Sequence, residues 1–104
     1  MKTTIAGVLC ALALATQTQP VRAADAANGE RIAKRWCAAC HVVAVDQARA
    51  NGDAAPFSTI GKTPGLDSAK LALFLLLPHP KMPDMNLSRQ EAADLAAYIG
   101  QQGK

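Results

Sequence analysis

The chain has 104 residues, and its 11 basic and 8 acidic side chains give a formal net charge of +3. This length suits one small domain, and the modest charge, with no basic run, argues against a nucleic acid as partner. Aromatic side chains make up only 4% of the composition, so we expect a disulfide, a metal or a large flat cofactor to support so small a core.

The first 23 residues have the pattern of a secretory signal peptide. Lys2 gives a basic start, residues 5–15 are an unbroken run of apolar residues and glycine, and Val21 and Ala23 are small enough for the positions before a cleavage site. The apolar run has 11 residues, well short of the roughly 20 needed to cross a bilayer. We therefore expect cleavage after Ala23, export to the periplasm and no membrane span in the mature protein.

Cleavage would leave one domain of residues 24–104 that keeps two of the three cysteines, Cys37 and Cys40. It would also remove Lys2 and Arg22, so that the formal net charge falls from +3 to +1. The working protein is therefore predicted to be nearly neutral.

The mature chain is predicted to be all-α, because no segment shows the alternation of a strand. A first helix spans about residues 26–39, with Asp25 as a suitable N-cap. Residues 42–66 lack sustained periodicity and contain several glycines and prolines, which predicts a long loop with short turns. Such loops are usually functional, or are held by something that they wrap.

Two further helices are predicted. The second, at about residues 68–77, is apolar nearly all round and should be buried on several sides, and Pro78 ends it. The last begins at a capping box of Ser88 and Glu91. Its residues divide into two faces at helical spacing. The apolar face comprises Ala92, Leu95, Ala96 and Ile99, and the polar face comprises Gln90, Glu91, Asp94 and Gln101.

The sequence WCAACH, residues 36–41, lies at the end of the first predicted helix. A thioredoxin-like dithiol would need to lie between a strand and a helix, and no strand is predicted. A structural zinc site needs four ligands. His79 is the one candidate besides Cys37, Cys40 and His41, and these four could complete such a site only with unusual geometry. A disulfide between the two cysteines would close a very short loop and stabilise little.

Covalent haem accounts for both cysteines and the histidine together. Cys-x-x-Cys-His is the attachment signature of c-type haem. Thiols at i and i+3 lie on one helix face, about 5–6 Å apart, where each can form a thioether with one haem vinyl group. His41 follows directly and can ligate the iron. Haem of this type is attached after export, in agreement with the signal peptide.

A haem iron that carries electrons normally has ligands in both axial positions. Met82, Met85 and His79 are the candidates for the second position, all in one proline-rich segment. We favour Met82, because Pro80 and Pro83 restrict the backbone on both sides of it. Met85 fits the role of a packing or rim residue better than that of a ligand, and His79 fits that of an exposed loop histidine.

Residues 25–104 resemble the class I c-type cytochromes, in particular small exported bacterial ones. The resemblance rests on the sequences GERIAKRWCAACH, APFSTIGKTPGL and HPKMPDMNLSRQEAADLAAYI. It implies a class I cytochrome c fold, with three main helices and loops wrapped around one covalent haem c. It also implies attachment at Cys37 and Cys40 and axial ligation of the iron by His41 and Met82.

The resemblance implies further roles around the haem. The Pro56 carbonyl would accept a hydrogen bond from His41 Nδ1, which fixes the ring. Phe57, Phe74 and the leucines of residues 71–77 would line the haem.

The resemblance also implies that Gly29 in the first helix meets the turn that carries Tyr98 in the last. One position departs from the family pattern. Ala33 replaces an aromatic residue that often lies four residues before the first cysteine, and we expect Trp36 to fill that space beside the attachment helix.

The implied function is that of a soluble periplasmic electron carrier, not an enzyme. Its partners would be redox proteins such as a dehydrogenase, an oxidase or another cytochrome. One alternative is an electron-accepting haem subunit of a periplasmic dehydrogenase. Another is a haem peroxidase or gas-binding protein with a labile Met82, although no distal histidine–arginine pair is evident. Arg49, Lys62 and Lys81 lie in loops that could surround the haem edge, where we expect weak steering of an acidic partner at most.

Overall fold

The fold is taken from a computed structural model, which describes residues 15–16, 22–77 and 81–104. Its elements in chain order are α1 (Ala26–Ile32), a π-helical turn (Ala33–Cys37), α2 (Phe57–Gly61), α3 (Ser68–Leu76) and α4 (Arg89–Gln102). There is no β-strand in these residues, and the all-α prediction is confirmed. Most of the predicted signal peptide, and the segment from Pro78 to Pro80 with His79, lie outside the described residues.

The three predicted helices correspond to α1 with its π-helical turn, to α3 and to α4. The short helix α2 was not predicted, because five residues are too few to show a periodic pattern. None of the described helices is long and apolar enough to cross a membrane.

The first helix changes its winding just before the cysteine motif. The Ala38 N–H donates to the carbonyl of Ala33, five residues back, at 3.1 Å, which is the wider pairing of a π-helix. Gly29, Ala33 and Cys37 are all buried and lie four residues apart. The wider turn therefore keeps one face of small residues against the core as far as the first cysteine.

Gly29 allows α1 to cross α4 at close range. A Cβ at this position would lie 2.6 Å from the carbonyl carbon of Asp94 and 2.9 Å from the Cβ of Tyr98. The predicted meeting of Gly29 with the turn of Tyr98 is therefore present.

α4 begins at the predicted capping box of Ser88 and Glu91. Its buried apolar residues are Ala92, Leu95, Ala96, Tyr98 and Ile99, which include the whole predicted stripe.

Asp94 is buried, and its predicted place on the polar face of α4 is wrong. Its carboxylate accepts hydrogen bonds from the Asp25 N–H at 2.7 Å, from Asn28 Nδ2 at 2.8 Å and from Gln90 Nε2 at 2.8 Å. Burial raises the pKa of Asp94, but these hydrogen bonds and the charge of Arg22 lower it more, so the pKa lies below its ordinary value. Asp94 thereby ties the start of α1 to α4.

α3 is the least buried of the long helices, and the described residues of the protein do not bury it on several sides as predicted. Asp67 caps it by accepting hydrogen bonds from two N–H groups of its first turn. Only one side of α3 packs on the core, through Leu71 and Leu75, and none of its residues is buried. Its exposed large apolar residues are Leu73, Phe74 and Leu76, and Leu77 follows them at the end of the helix.

Candidate functional site

The cysteine motif forms a tight turn at the end of the π-helical segment. Cys37 is the last residue of that segment, and its carbonyl accepts hydrogen bonds from the N–H groups of Cys40 at 3.1 Å and of His41 at 2.8 Å. The Cys37 thiol is buried, the Cys40 thiol is exposed, and both are free. The hydrogen bonds to this one carbonyl therefore place both thiols and the imidazole on a single turn.

The two thiols lie in different surroundings. Burial raises the pKa of Cys37 to about 11, and the neighbouring Cys40 adds a smaller effect in the same direction. Cys37 is therefore protonated at neutral pH. In the part of the chain that the structure describes, no three side chains of the metal-binding types come close enough to hold a metal ion. His79, the fourth residue considered for zinc, lies outside that part.

The imidazole of His41 is held from its Nδ1 side. Nδ1 lies 2.6 Å from the carbonyl oxygen of Ala55, so in this tautomer Nδ1–H donates the bond. The prediction that the Pro56 carbonyl accepts this bond is wrong by one residue. The Pro56 carbonyl instead accepts from the N–H groups of Thr59 at 3.0 Å and Ile60 at 3.1 Å. It is occupied in starting α2, which leaves the carbonyl before it for His41.

Phe57 packs beside this imidazole. Its ring is buried, and its centroid lies 5.3 Å from that of His41 and 6.3 Å from that of Tyr98. The Phe57 N–H donates to the carbonyl of Val42 at 2.9 Å, which joins the start of α2 to the residue after His41. Phe57 therefore forms an apolar wall between the motif and α4.

The loop that follows the motif is tied to α4 by a buried hydrogen bond. The Tyr98 hydroxyl donates to the carbonyl of Val43 at 2.6 Å. Gln47, which the sequence did not single out, bonds to several backbone groups of the same loop. A lone glutamine in an aperiodic loop gives no sequence signal of such a role.

Trp36 does not fill the space that Ala33 leaves, and the expectation that it packs beside the attachment helix is wrong. Its side chain is 52% exposed, whereas Ala33 is fully buried. The guanidinium carbon of Arg35 lies 4.9 Å from the Trp36 ring centroid, a cation–π contact at the surface. Around Ala33 the buried face of the first helix consists of small residues, and no space is left there for the indole of Trp36.

In the methionine-containing segment, Lys81 has a φ of 67°, which places it in the left-handed region. Met82 and Met85 are both half-buried, so burial does not distinguish between them. The assignment of Met82 stays a prediction. The three loop cations considered for steering, Arg49, Lys62 and Lys81, are all exposed.

Two comparisons with known proteins agree on the family. Residues 24–99 match the family described as "Cytochrome C oxidase, cbb3-type, subunit III". The chain is also 53% identical over 94 residues to a protein named "Cytochrome c-552" from Bradyrhizobium diazoefficiens, and the alignment covers 90% of each chain. The chain belongs to this family of c-type cytochromes. It is an electron-transfer protein with covalently bound haem c, and redox proteins are its partners. No solved structure matches the chain.

The residues of the cytochrome fit this cofactor. The motif offers two free thiols and, one residue later, an imidazole whose Nδ1 is already bonded to the protein. α3 offers exposed apolar side chains, which suit contact with a flat apolar ring. The chemistry of thioether attachment and axial ligation therefore requires no residue that this chain lacks.

Proposed function

We propose that the protein is a periplasmic carrier of single electrons, in which Cys37 and Cys40 attach the haem and His41 and Met82 ligate its iron. The observation that carries the proposal is the short contact between His41 Nδ1 and the Ala55 carbonyl. With Nδ1 occupied, Nε2 is the nitrogen that remains for a metal. A backbone acceptor at Nδ1 also fixes the ring and raises its basicity as a ligand.

The two cysteines are suited to attachment by their spacing within one turn. The hydrogen bonds from the N–H groups of Cys40 and His41 to the Cys37 carbonyl keep the two thiols and the imidazole on the same turn. Bound haem c supplies an iron that alternates between Fe(III) and Fe(II). Phe57 and the apolar residues of α3 would line the haem, and apolar surroundings disfavour the more highly charged oxidised state.

The choice of Met82 is supported by its backbone. The left-handed conformation of Lys81 precedes it, and Pro83 has a fixed φ after it. A ligand held between two restricted residues rearranges little when the charge of the iron changes. Because one thioether and one imidazole would then occupy both axial positions, we infer that the chain carries electrons without catalysing a reaction of its own.

We infer that the protein is exported. The pattern of the first 23 residues supports removal of a signal peptide and a mature domain of residues 24–104. N-terminal sequencing of protein from a periplasmic fraction should begin at Ala24.

A tightly bound haem subunit of a periplasmic dehydrogenase is the second candidate. The exposed Trp36 with Arg35 across its ring favours it, because tryptophan and arginine are the residue types that most often anchor protein interfaces. Gel filtration of the protein at its native concentration distinguishes the two candidates, because a free carrier elutes at its own small size and a subunit elutes together with its enzyme.

The axial ligands are tested by spectroscopy of the purified oxidised protein. Ligation by a thioether gives a weak far-red band, which Met82→Ala should abolish and Met85→Ala should leave in place. The opposite result would assign the ligand to Met85. Mature protein without covalently bound haem would refute the proposed function altogether.

A further inference from the structure

Gln47 lies six residues after His41, and in the part of the chain that the structure describes its side chain bonds to backbone groups alone. Its Nε2 donates to the carbonyls of Ala38 at 2.9 Å, of His41 at 2.9 Å and of Arg49 at 3.2 Å. Its Oε1 accepts from the N–H of Val43 at 2.9 Å. The carboxamide thus uses both of its donor hydrogens and its acceptor on the chain around the motif.

Two of these bonds fall on the attachment turn itself. The carbonyl groups at the end of a helix have no partner within the helix. The carbonyl of Ala38, the C-cap residue, is one of these groups, and the carbonyl of His41 lies three residues further on. Gln47 Nε2 donates to both. A single side chain therefore fixes the distance between the two ends of the turn.

Gln47 is itself held firmly. Val43, which donates to Gln47, is almost completely buried, and its carbonyl accepts the Tyr98 hydroxyl. A short chain of hydrogen bonds therefore runs from Tyr98 in α4, through Val43 and Gln47, to the backbone of His41. The ring of His41 is held separately, by the Ala55 carbonyl.

No other ordinary side chain of this size supplies the same set of bonds. Glutamate has the shape but no donor when ionised, methionine has the length but neither donor nor strong acceptor, and asparagine is one methylene shorter. The requirement is for two donors and one acceptor at this reach.

We propose that Gln47 is a positioning residue for His41: it fixes the backbone from which the imidazole projects toward the iron, while the Ala55 carbonyl holds the ring itself. The inference rests on the proposed role of His41 as axial ligand. The Gln47 carboxamide bonds to the backbone of the attachment turn and not to the imidazole ring, and through that backbone it helps to set the reduction potential.

The test compares haem-loaded Gln47→Met and Gln47→Glu with wild type and with Gln101→Met. Gln101 is an exposed glutamine on α4, so it controls for the same change of side chain. Three quantities are measured: the reduction potential, the hyperfine-shifted ring resonances of His41 in the oxidised protein, and the hydrogen exchange of the Val43 N–H.

We expect both Gln47 variants to shift the His41 ring resonances and the reduction potential. Gln47→Met should also speed exchange of the Val43 N–H by roughly tenfold, because its acceptor is lost. Gln47→Glu keeps an acceptor for Val43 and should speed this exchange less. Gln101→Met should leave all three quantities at their wild-type values.

The inference is overturned if the variants unfold more easily while the His41 resonances and the potential remain at wild type, since Gln47 would then be structural only. A different result bears on the proposed function. If wild-type protein holds covalent haem but its His41 resonances carry no hyperfine shift, His41 is not the ligand and both proposals fail.

Discussion

α4 and α3 are both capped helices with many apolar residues, yet the protein buries them very differently. α4 carries polar residues on much of its surface and buries six of its residues. α3 is almost entirely apolar and buries none. The number of apolar residues in a helix therefore does not predict how much of it the protein covers.

The reason lies in the partners of each helix. α4 meets α1, α2 and α3, and the small residues on its own surface and at Gly29 bring the backbones close together. Among the described helices, α3 packs mainly on α4, through one side. Apolar side chains of α3 therefore stay exposed, whereas those of α4 pack on protein. The exposed surface would suit contact with haem c.

The largest effect is expected where α1 crosses α4. Gly29→Ala would place a Cβ 2.6 Å from the carbonyl carbon of Asp94, and backbone atoms cannot move aside as a flexible side chain can. We expect a loss of about 3 kcal/mol in the free energy of unfolding, measured with denaturant.

Gly100→Ala is the matched control on α4. Nothing lies within 4 Å of a Cβ at Gly100, and alanine is the better helix former, so this variant should be more stable by about 0.5–1 kcal/mol. Equal losses at the two glycines would mean that the close crossing does not stabilise the protein.

A second, smaller effect is expected at Asp94. Asp94→Asn keeps the shape but removes the charge that accepts hydrogen bonds from Asp25, Asn28 and Gln90. We expect a loss of about 2 kcal/mol at neutral pH. Asp53→Asn, in an exposed loop, should change stability little.

The effect at Asp94 should depend on pH with a definite sign. The pKa of Asp94 is lower in the folded protein than in the unfolded chain. Its carboxylate therefore contributes stability above the unfolded pKa, and this contribution is lost as the pH falls through the folded pKa. The stability of Asp94→Asn should approach that of wild type in acid. A constant difference at every pH would contradict this assignment.

The features that were predicted from the sequence are those whose signals are local. The capping box, the apolar stripe of α4 and the cysteine motif each lie within a few residues. Asp94 was misplaced because the partners that justify its burial lie 66 and 69 residues away. The Ala55 carbonyl and Gln47 were missed for a related reason, since their role depends on how an aperiodic loop folds back on the motif.

The smallest change in stability is expected on α3, where the effect should appear in the reduction potential instead. Leu73 is 56% exposed, on the side of α3 away from the described core. If that face lies against the haem, Leu73→Gln brings a dipole near the iron and favours the more highly charged Fe(III). We expect the potential to fall by about 20–40 mV, the equivalent of roughly 0.5–1 kcal/mol for one electron.

Val45→Gln is the control for Leu73→Gln, because Val45 is fully exposed in the loop after the motif. The same substitution there should leave the potential unchanged, as measured by redox titration. An unchanged potential in Leu73→Gln as well would place this face of α3 away from the haem. Its apolar residues would then need another partner, and the difference between α3 and α4 would describe a protein interface rather than a cofactor pocket.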